Sequence, residues 1–397
     1  MNDGYSVKLK ISKGYWCSHN KMKISKFHIC LCVLLLSSAE QKTLVFSQQQ
    51  NVGLFIFGDS ILDAGNNNFI NTTTKFQANF PPYGLTFFHN PTGRFSDGRL
   101  IPDFVAEYAK LPLIRPYLDP HNNLYIHGVN FASGGSGALL ESHQGSAITL
   151  QTQLKYFIEV GKSLRKKLGD NRAQNLLSNS VYLISTGGND YVSPFEGDST
   201  AFQIYTPTQY VNMVIGNLTT VIQEIYKNGG RKFAFVGVPP LGCIPRLKLL
   251  KGVGHGKCVE EASSIVSLHN KLLPIALQNL AIQLNDFKYA FADANTLLLQ
   301  RIRNPTKYGF KEVETACCGS GEYGGIYSCG GKRGKKEFKL CEDPTQYLFF
   351  DSYHPNQKAY EQLAKLMWSG DEQVIKPYNL KQLFQYGFCW LLNEISY

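Results

Sequence analysis

Several stretches of this chain carry side chains suited to acyl transfer. Ser60 directly follows an apolar run and a glycine, in Leu54-Phe55-Ile56-Phe57-Gly58-Asp59-Ser60. A serine hydroxyl is a weak nucleophile by itself and needs a base within hydrogen-bond reach. Of the nine histidines, His354 is the one with a carboxylate three residues before it, Asp351. An Asp-x-x-His turn lets the carboxylate hold the far ring N–H, fixing the tautomer and stabilising the imidazolium that forms. Each feature alone also has a plainer reading. Ser60 reads as a turn or helix-capping serine, and Asp351 and His354 as a capped loop turn. A metal pair finds no third ligand nearby in sequence.

Acyl transfer places negative charge on the carbonyl oxygen, and fixed N–H donors there lower the barrier. Gly134, Gly135 and Gly137 permit close approach of backbone. Asn189, after Gly187-Gly188, offers a side-chain amide. The plainer reading of both is a glycine-rich turn. The glycine cluster is not G-x-G-x-x-G, so no dinucleotide site is read there. The nucleophile motif G-x-S-x-G is absent from the chain, which argues against an α/β-hydrolase of that type.

What must position these groups is visible in the apolar patterning. Runs at 54–57, 128–132, 181–184, 233–238 and 289–292 each stop at Gly, Asn, Asp, Ser or Pro. They read as buried strands of a parallel sheet. Residues 151–168, 208–227 and 260–284 read as helices between them, the second stopping at Asn228-Gly229-Gly230. The alternation predicts a doubly wound α/β sheet. Ligands bind beyond the carboxyl ends of such strands, which is where the polar clusters fall.

The first 39 residues read as targeting sequence. Lys21, Lys23 and Lys26 precede an apolar run over 29–36, and Ser37-Ser38-Ala39 follow. That order is a signal peptide's, and the run is too short to span a bilayer. Cleavage after Ala39 or Ser47 is expected, from a start at Met1 or Met22, which leaves 40–397 as one domain. Residues 1–39 hold six lysines and one aspartate, so half of the net charge of +10 leaves with them. Nucleic acid is therefore not an expected partner. Association of a moderately basic secreted protein with an acidic matrix stays open. The cluster Lys332-Arg333-Gly334-Lys335-Lys336 reads as a solvated loop.

Cys17, Cys30 and Cys32 depart with the signal, and Cys389 is the odd one of the remaining seven. The other six suit three disulfides in an oxidising compartment. Cys243 and Cys258 are a natural local pair. Cys317, Cys318, Cys329 and Cys341 can pair in more than one way. A zinc site there is the weaker reading, with no histidine inside the cluster. Asn71 and Asn217 stand in N-x-[ST] sequons.

In order along the chain, these blocks resemble the plant GDSL-type esterase/lipases of the SGNH hydrolase superfamily. The resemblance runs through Phe55-Ile56-Phe57-Gly58-Asp59-Ser60, Ile61 to Asn68, Pro91 to Arg99, Val129 to Gly137, and Gly187-Gly188-Asn189-Asp190. It ends with Cys317-Cys318-Gly319 and Asp351-Ser352-Tyr353-His354-Pro355, and covers residues ~52 to ~385. It implies a three-layer α/β/α fold, no metal or other cofactor, and a rather open cleft for a lipid or small-molecule ester. It further implies a Ser60–His354–Asp351 triad with an oxyanion hole from the Ser60 and Gly135 N–H groups and the Asn189 side chain. Gly134 is the near miss for Gly135. Two departures stand out. Phe350 replaces the family's usual Trp, and 332–336 looks inserted. The same triad serves an acyltransferase, and a catalytically silent binding module is the other rival.

Overall fold

The structure, a computed structural model, describes residues 52–197 and 199–385. The expected signal segment, its cleavage point and Cys389 lie outside the described residues.

Five short apolar runs form the parallel part of the sheet. These are β1 (Leu54–Gly58), β2 (Gly128–Asn130), β3 (Val181–Ser185), β4 (Lys232–Val236) and β5 (Lys288–Ala292), in the spatial order β2-β1-β3-β4-β5. The pairing is in register along the sheet, with Phe55 beside Tyr182, Tyr182 beside Phe233 and Phe233 beside Tyr289. Strands covered on both faces need no polar alternation, and β1, β2, β3 and β4 are buried throughout. Stacked rings of Phe55, Tyr182 and Phe233 run across the sheet, and Phe157 meets Phe55 and Phe57 edge-on from a flanking helix.

Three long helices close one set of contacts: Leu150–Leu168 packs on Pro207–Lys227, which packs on Glu260–Gln283. Each lies where the sequence pattern places it. A second set, Ile101–Tyr108, Gln357–Ser369 and Leu380–Gln385, packs together elsewhere. The doubly wound α/β reading therefore holds. One strand escapes it: Ile375–Pro377 adds antiparallel to the edge at β5. With Pro377 at its end, this three-residue run has no periodicity to betray it.

The order has a consequence for ligands. The chain steps from β1 to β2 on one side, then crosses to β3 on the other. The carboxyl ends of β1 and β3 therefore face a crevice where the winding reverses, the usual ligand position in such sheets. Ser60 follows β1 by two residues and Asn189 follows β3 by four.

The six described cysteines form three disulfides, Cys243–Cys258, Cys317–Cys341 and Cys318–Cys329. The first is the expected local pair. The other two staple residues 317–341 into a knot, and thiols so used are not available to zinc. Asn71 and Asn217 are both exposed. No helix among the described residues is long and apolar enough to cross a membrane.

Candidate active site

Gly58 ends β1 with φ 131°, and a Cβ there would collide with the Ser185 carbonyl of β3. Only glycine lets the chain turn this close to its neighbour and deliver Ser60 to the crevice. The Ser60 hydroxyl donates to His354 Nε2 at 2.8 Å. His354 Nδ1 lies 2.8 and 2.9 Å from the two oxygens of Asp351, an acceptor for its proton. Ser60 and His354 keep 9% and 7% exposure, while Asp351 is sealed at 0%. The hydroxyl and the base can thus meet a ligand, and the carboxylate cannot.

Asp351 is saturated with donors. The N–H groups of Tyr353 and His354 donate to Oδ1 at 2.9 and 2.8 Å, and the Tyr83 hydroxyl to Oδ2 at 2.6 Å. Burial pushes this carboxyl up, but His354, the Arg333 guanidinium and Tyr83 outweigh it and hold it below the usual carboxylate range. The imidazole is braced as well. The Phe95 ring lies against it, with centroids 5.0 Å apart. Asp97, two residues on, accepts from the Gln357 N–H at 2.7 Å, tying this loop to the helix after His354. Phe350, the departure from the family's Trp, is buried against Tyr83 at 5.5 Å.

Gly135 and Asn189 line the same cleft as Ser60 and His354. Gly134 and Gly135 differ in what their N–H groups do. That of Gly134 donates to Asp63 Oδ2 at 2.9 Å, whereas that of Gly135 has no partner among the described residues. Gly135 has φ 89°, and a Cβ there would strike Phe76. Its carbonyl accepts from His143 Nδ1 at 2.8 Å, so its peptide is held from behind. The Ser60 N–H likewise has no partner among the described residues. Asn189 gives one amide hydrogen to the Ser136 carbonyl at 2.9 Å, leaving the second. Free N–H groups beside a serine hydroxyl are donors of the kind that a developing oxyanion would need.

The remaining lining is Lys75, Phe76, Phe95, His143, Val192, Glu196, Tyr327 and Tyr353. Glu196 takes hydrogen bonds from Arg246 Nε, at 2.9 Å, and from the Tyr353 hydroxyl.

Residues 54–367 match the family profile described as GDSL-like Lipase/Acylhydrolase. The chain belongs to this GDSL-like lipase/acylhydrolase family. A GDSL lipase of Tanacetum cinerariifolium is 53% identical over 339 residues, covering 85% of this chain and 89% of that protein. GDSL esterase/lipase 5 of Arabidopsis thaliana is 50% identical over 365 residues, covering 90% and 94%. GDSL esterase/lipase 1 of the same plant is 45% identical over 362 residues, covering 90% and 96%. The match to the GDSL family contains all the blocks that converge on the crevice.

Three participants escaped the sequence reading: Tyr83, His143 and Arg333. The first two stand in unremarkable loops with no local signal. Arg333 was expected in a solvated basic loop. Lys332, Lys335 and Lys336 are indeed exposed, but Arg333 turns inward. Its guanidinium donates to the Tyr83 hydroxyl at 2.9 Å and to the Thr74, Gln77 and Cys329 carbonyls.

Proposed function

We propose that the protein is a secreted carboxylic ester hydrolase working through an acyl-enzyme on Ser60. The observation that carries this reading is the unbroken line from Ser60 Oγ through His354 to buried Asp351. His354 takes the serine proton as Oγ attacks the ester carbonyl, and Asp351 stabilises the imidazolium. The tetrahedral oxyanion is held by the Ser60 and Gly135 N–H groups and by Asn189 Nδ2. His354 then returns its proton to the departing alcohol. Water, activated by the same imidazole, attacks the acyl-enzyme, and the acid leaves with Ser60 restored.

The substrate is a lipid or small acyl ester that enters an open cleft. The signal-like segment before Ala39, the three disulfides and the exposed sequon residues Asn71 and Asn217 support an extracellular site of action for a single catalytic domain over 40–397.

The test is hydrolysis of p-nitrophenyl esters, from acetate to palmitate, by the mature protein. The expected result is turnover with a burst of p-nitrophenol and labelling of Ser60 by an organophosphonate. A folded protein that neither hydrolyses any of the series nor labels would overturn the proposal.

A further inference from the structure

Asp351 is a fully buried carboxylate, and an uncompensated charge in such a place is costly. His354 Nδ1 donates to this carboxylate, and a second, permanent charge lies on its other side. The Arg333 guanidinium reaches Asp351 through one intermediary: Arg333 Nη1 donates to Tyr83 Oη, and Tyr83 Oη donates to Asp351 Oδ2.

The arginine is built in. Nε donates to the Thr74 carbonyl at 3.0 Å, Nη2 to that of Gln77 at 2.6 Å, and Nη1 also to that of Cys329 at 3.2 Å. The guanidinium lies 3.8 Å from the centre of the Tyr327 ring and 4.9 Å from that of Phe80. A planar fork that stacks and donates in several directions is an arginine's task, and lysine does not reproduce it. The loop bearing it is fastened to the triad. Cys318–Cys329 closes four residues before Arg333, and the Cys317 and Cys318 N–H groups donate to the Phe349 and Phe350 carbonyls, just ahead of Asp351.

We propose that Arg333, acting through Tyr83, is a positioning residue for this hydrolase: it fixes the Asp351 carboxylate and tempers how strongly that carboxylate stabilises the His354 imidazolium. This rests on the serine-hydrolase reading above. Polarised by the guanidinium, the Tyr83 hydroxyl is a stronger donor to Asp351 than a tyrosine alone. A carboxylate so engaged, with a fixed cation behind it, stabilises the imidazolium less.

The other titratable groups facing this carboxylate do not replace Arg333. Tyr327, Tyr353 and Tyr360 are each pushed up by burial and stay protonated. Glu196 and Arg246 pair with each other behind Tyr353. Asp59 and Asp97, which also act on Tyr360, are acids and supply no cation.

The test compares pH profiles of kcat/KM for wild type, Arg333→Met, Arg333→Lys and Tyr83→Phe on a soluble p-nitrophenyl ester. In Arg333→Met and Tyr83→Phe the acid limb moves to higher pH. At neutral pH, kcat falls roughly tenfold, the size of one hydrogen bond to a charged group, with KM little changed. Arg333→Lys, which keeps the charge, returns the acid limb part of the way. A purely structural Arg333 lowers the melting temperature and leaves the acid limb where it is, and that result overturns the proposal. If Arg333→Met does not fold, Tyr83→Phe keeps the guanidinium and its carbonyl contacts and decides the matter alone. Organophosphonate labelling of wild-type Ser60 separates the two readings. Without it the serine-hydrolase reading fails, whereas labelling with an unmoved limb fails Arg333 only.

Discussion

Asn189 and Ser136 are joined by a 2.9 Å hydrogen bond from side-chain amide to backbone carbonyl. That bond uses one amide hydrogen and orients the other. An interaction made only when the oxyanion forms lowers kcat and leaves KM little changed. Losing one such donor costs about 10²–10³ in kcat. Asn189→Ala is therefore expected to lose that much with its melting temperature largely kept. Asn189→Asp is expected to be no better, because a carboxylate repels the oxyanion. A drop below about fivefold in a well-folded Asn189→Ala, far short of the donor-loss range, would falsify the role given to Asn189.

Ser60→Ala removes the proposed nucleophile and its hydrogen bond to His354. The variant is expected to fold as wild type does, to lose ester hydrolysis and to resist organophosphonate. Activity surviving in the purified variant means that another residue carries the acyl group.

Asp59 lies buried just before Ser60 and is pushed up to about 7, by burial first, with the Ile61 N–H opposing and Asp190 and Asp63 adding. Asp63 is pushed up to about 6, again by burial first. Both native carboxyls hold a proton more tightly than in the unfolded chain. Their contribution to stability is complete below pH ~4 and is lost as pH rises through about 6 and about 7. Asp59→Asn is expected to melt above wild type at pH 8 and to flatten the fall in melting temperature between pH 5 and 8. Parallel slopes for the two proteins would contradict this.

The stapled knot yields a prediction about order of loss. Closing the loop between Cys318 and Cys329 is worth ~3 kcal/mol by chain entropy, and its position beside Phe350 ties it to Asp351. Double replacement of Cys318 and Cys329 by Ala is expected to depress kcat under conditions where far-ultraviolet circular dichroism still reports an intact sheet. Non-reducing peptide maps of wild type are expected to show Cys243–Cys258, Cys317–Cys341 and Cys318–Cys329. Loss of sheet and activity in one transition would place the knot in the global fold instead.

What could be read in advance depended on locality. Ser60, Asn189 and the Asp351–His354 turn were legible because each follows an apolar run or keeps a short spacing that chemistry demands. Gly135 is preferred to Gly134 by its offset from Asn130, but what physically separates them, Asp63 occupying the Gly134 N–H, is a contact across 71 residues that no local pattern records. Tyr83 and Arg333 act across 268 and 250 residues, and no local pattern records such a contact. The charges around Arg333 pointed toward solvent, and what draws it inward is a set of carbonyls from residues 74, 77 and 329. Cys317 and Cys318 left their partners open because successive residues of an extended chain face opposite ways. Each therefore finds a different mate.

Ser60 and His354 stand 294 residues apart. A nascent chain translated only as far as Cys341 owns the serine, the glycines and the asparagine, and has neither base nor carboxylate. Its hydroxyl is no more reactive than any other serine. The Ser60–His354 contact forms late in synthesis, when the segment after the stapled loop is laid against the five parallel strands made before it. The contact on which the proposed nucleophile depends is thus one that the chain can make only after its five parallel strands have been synthesised.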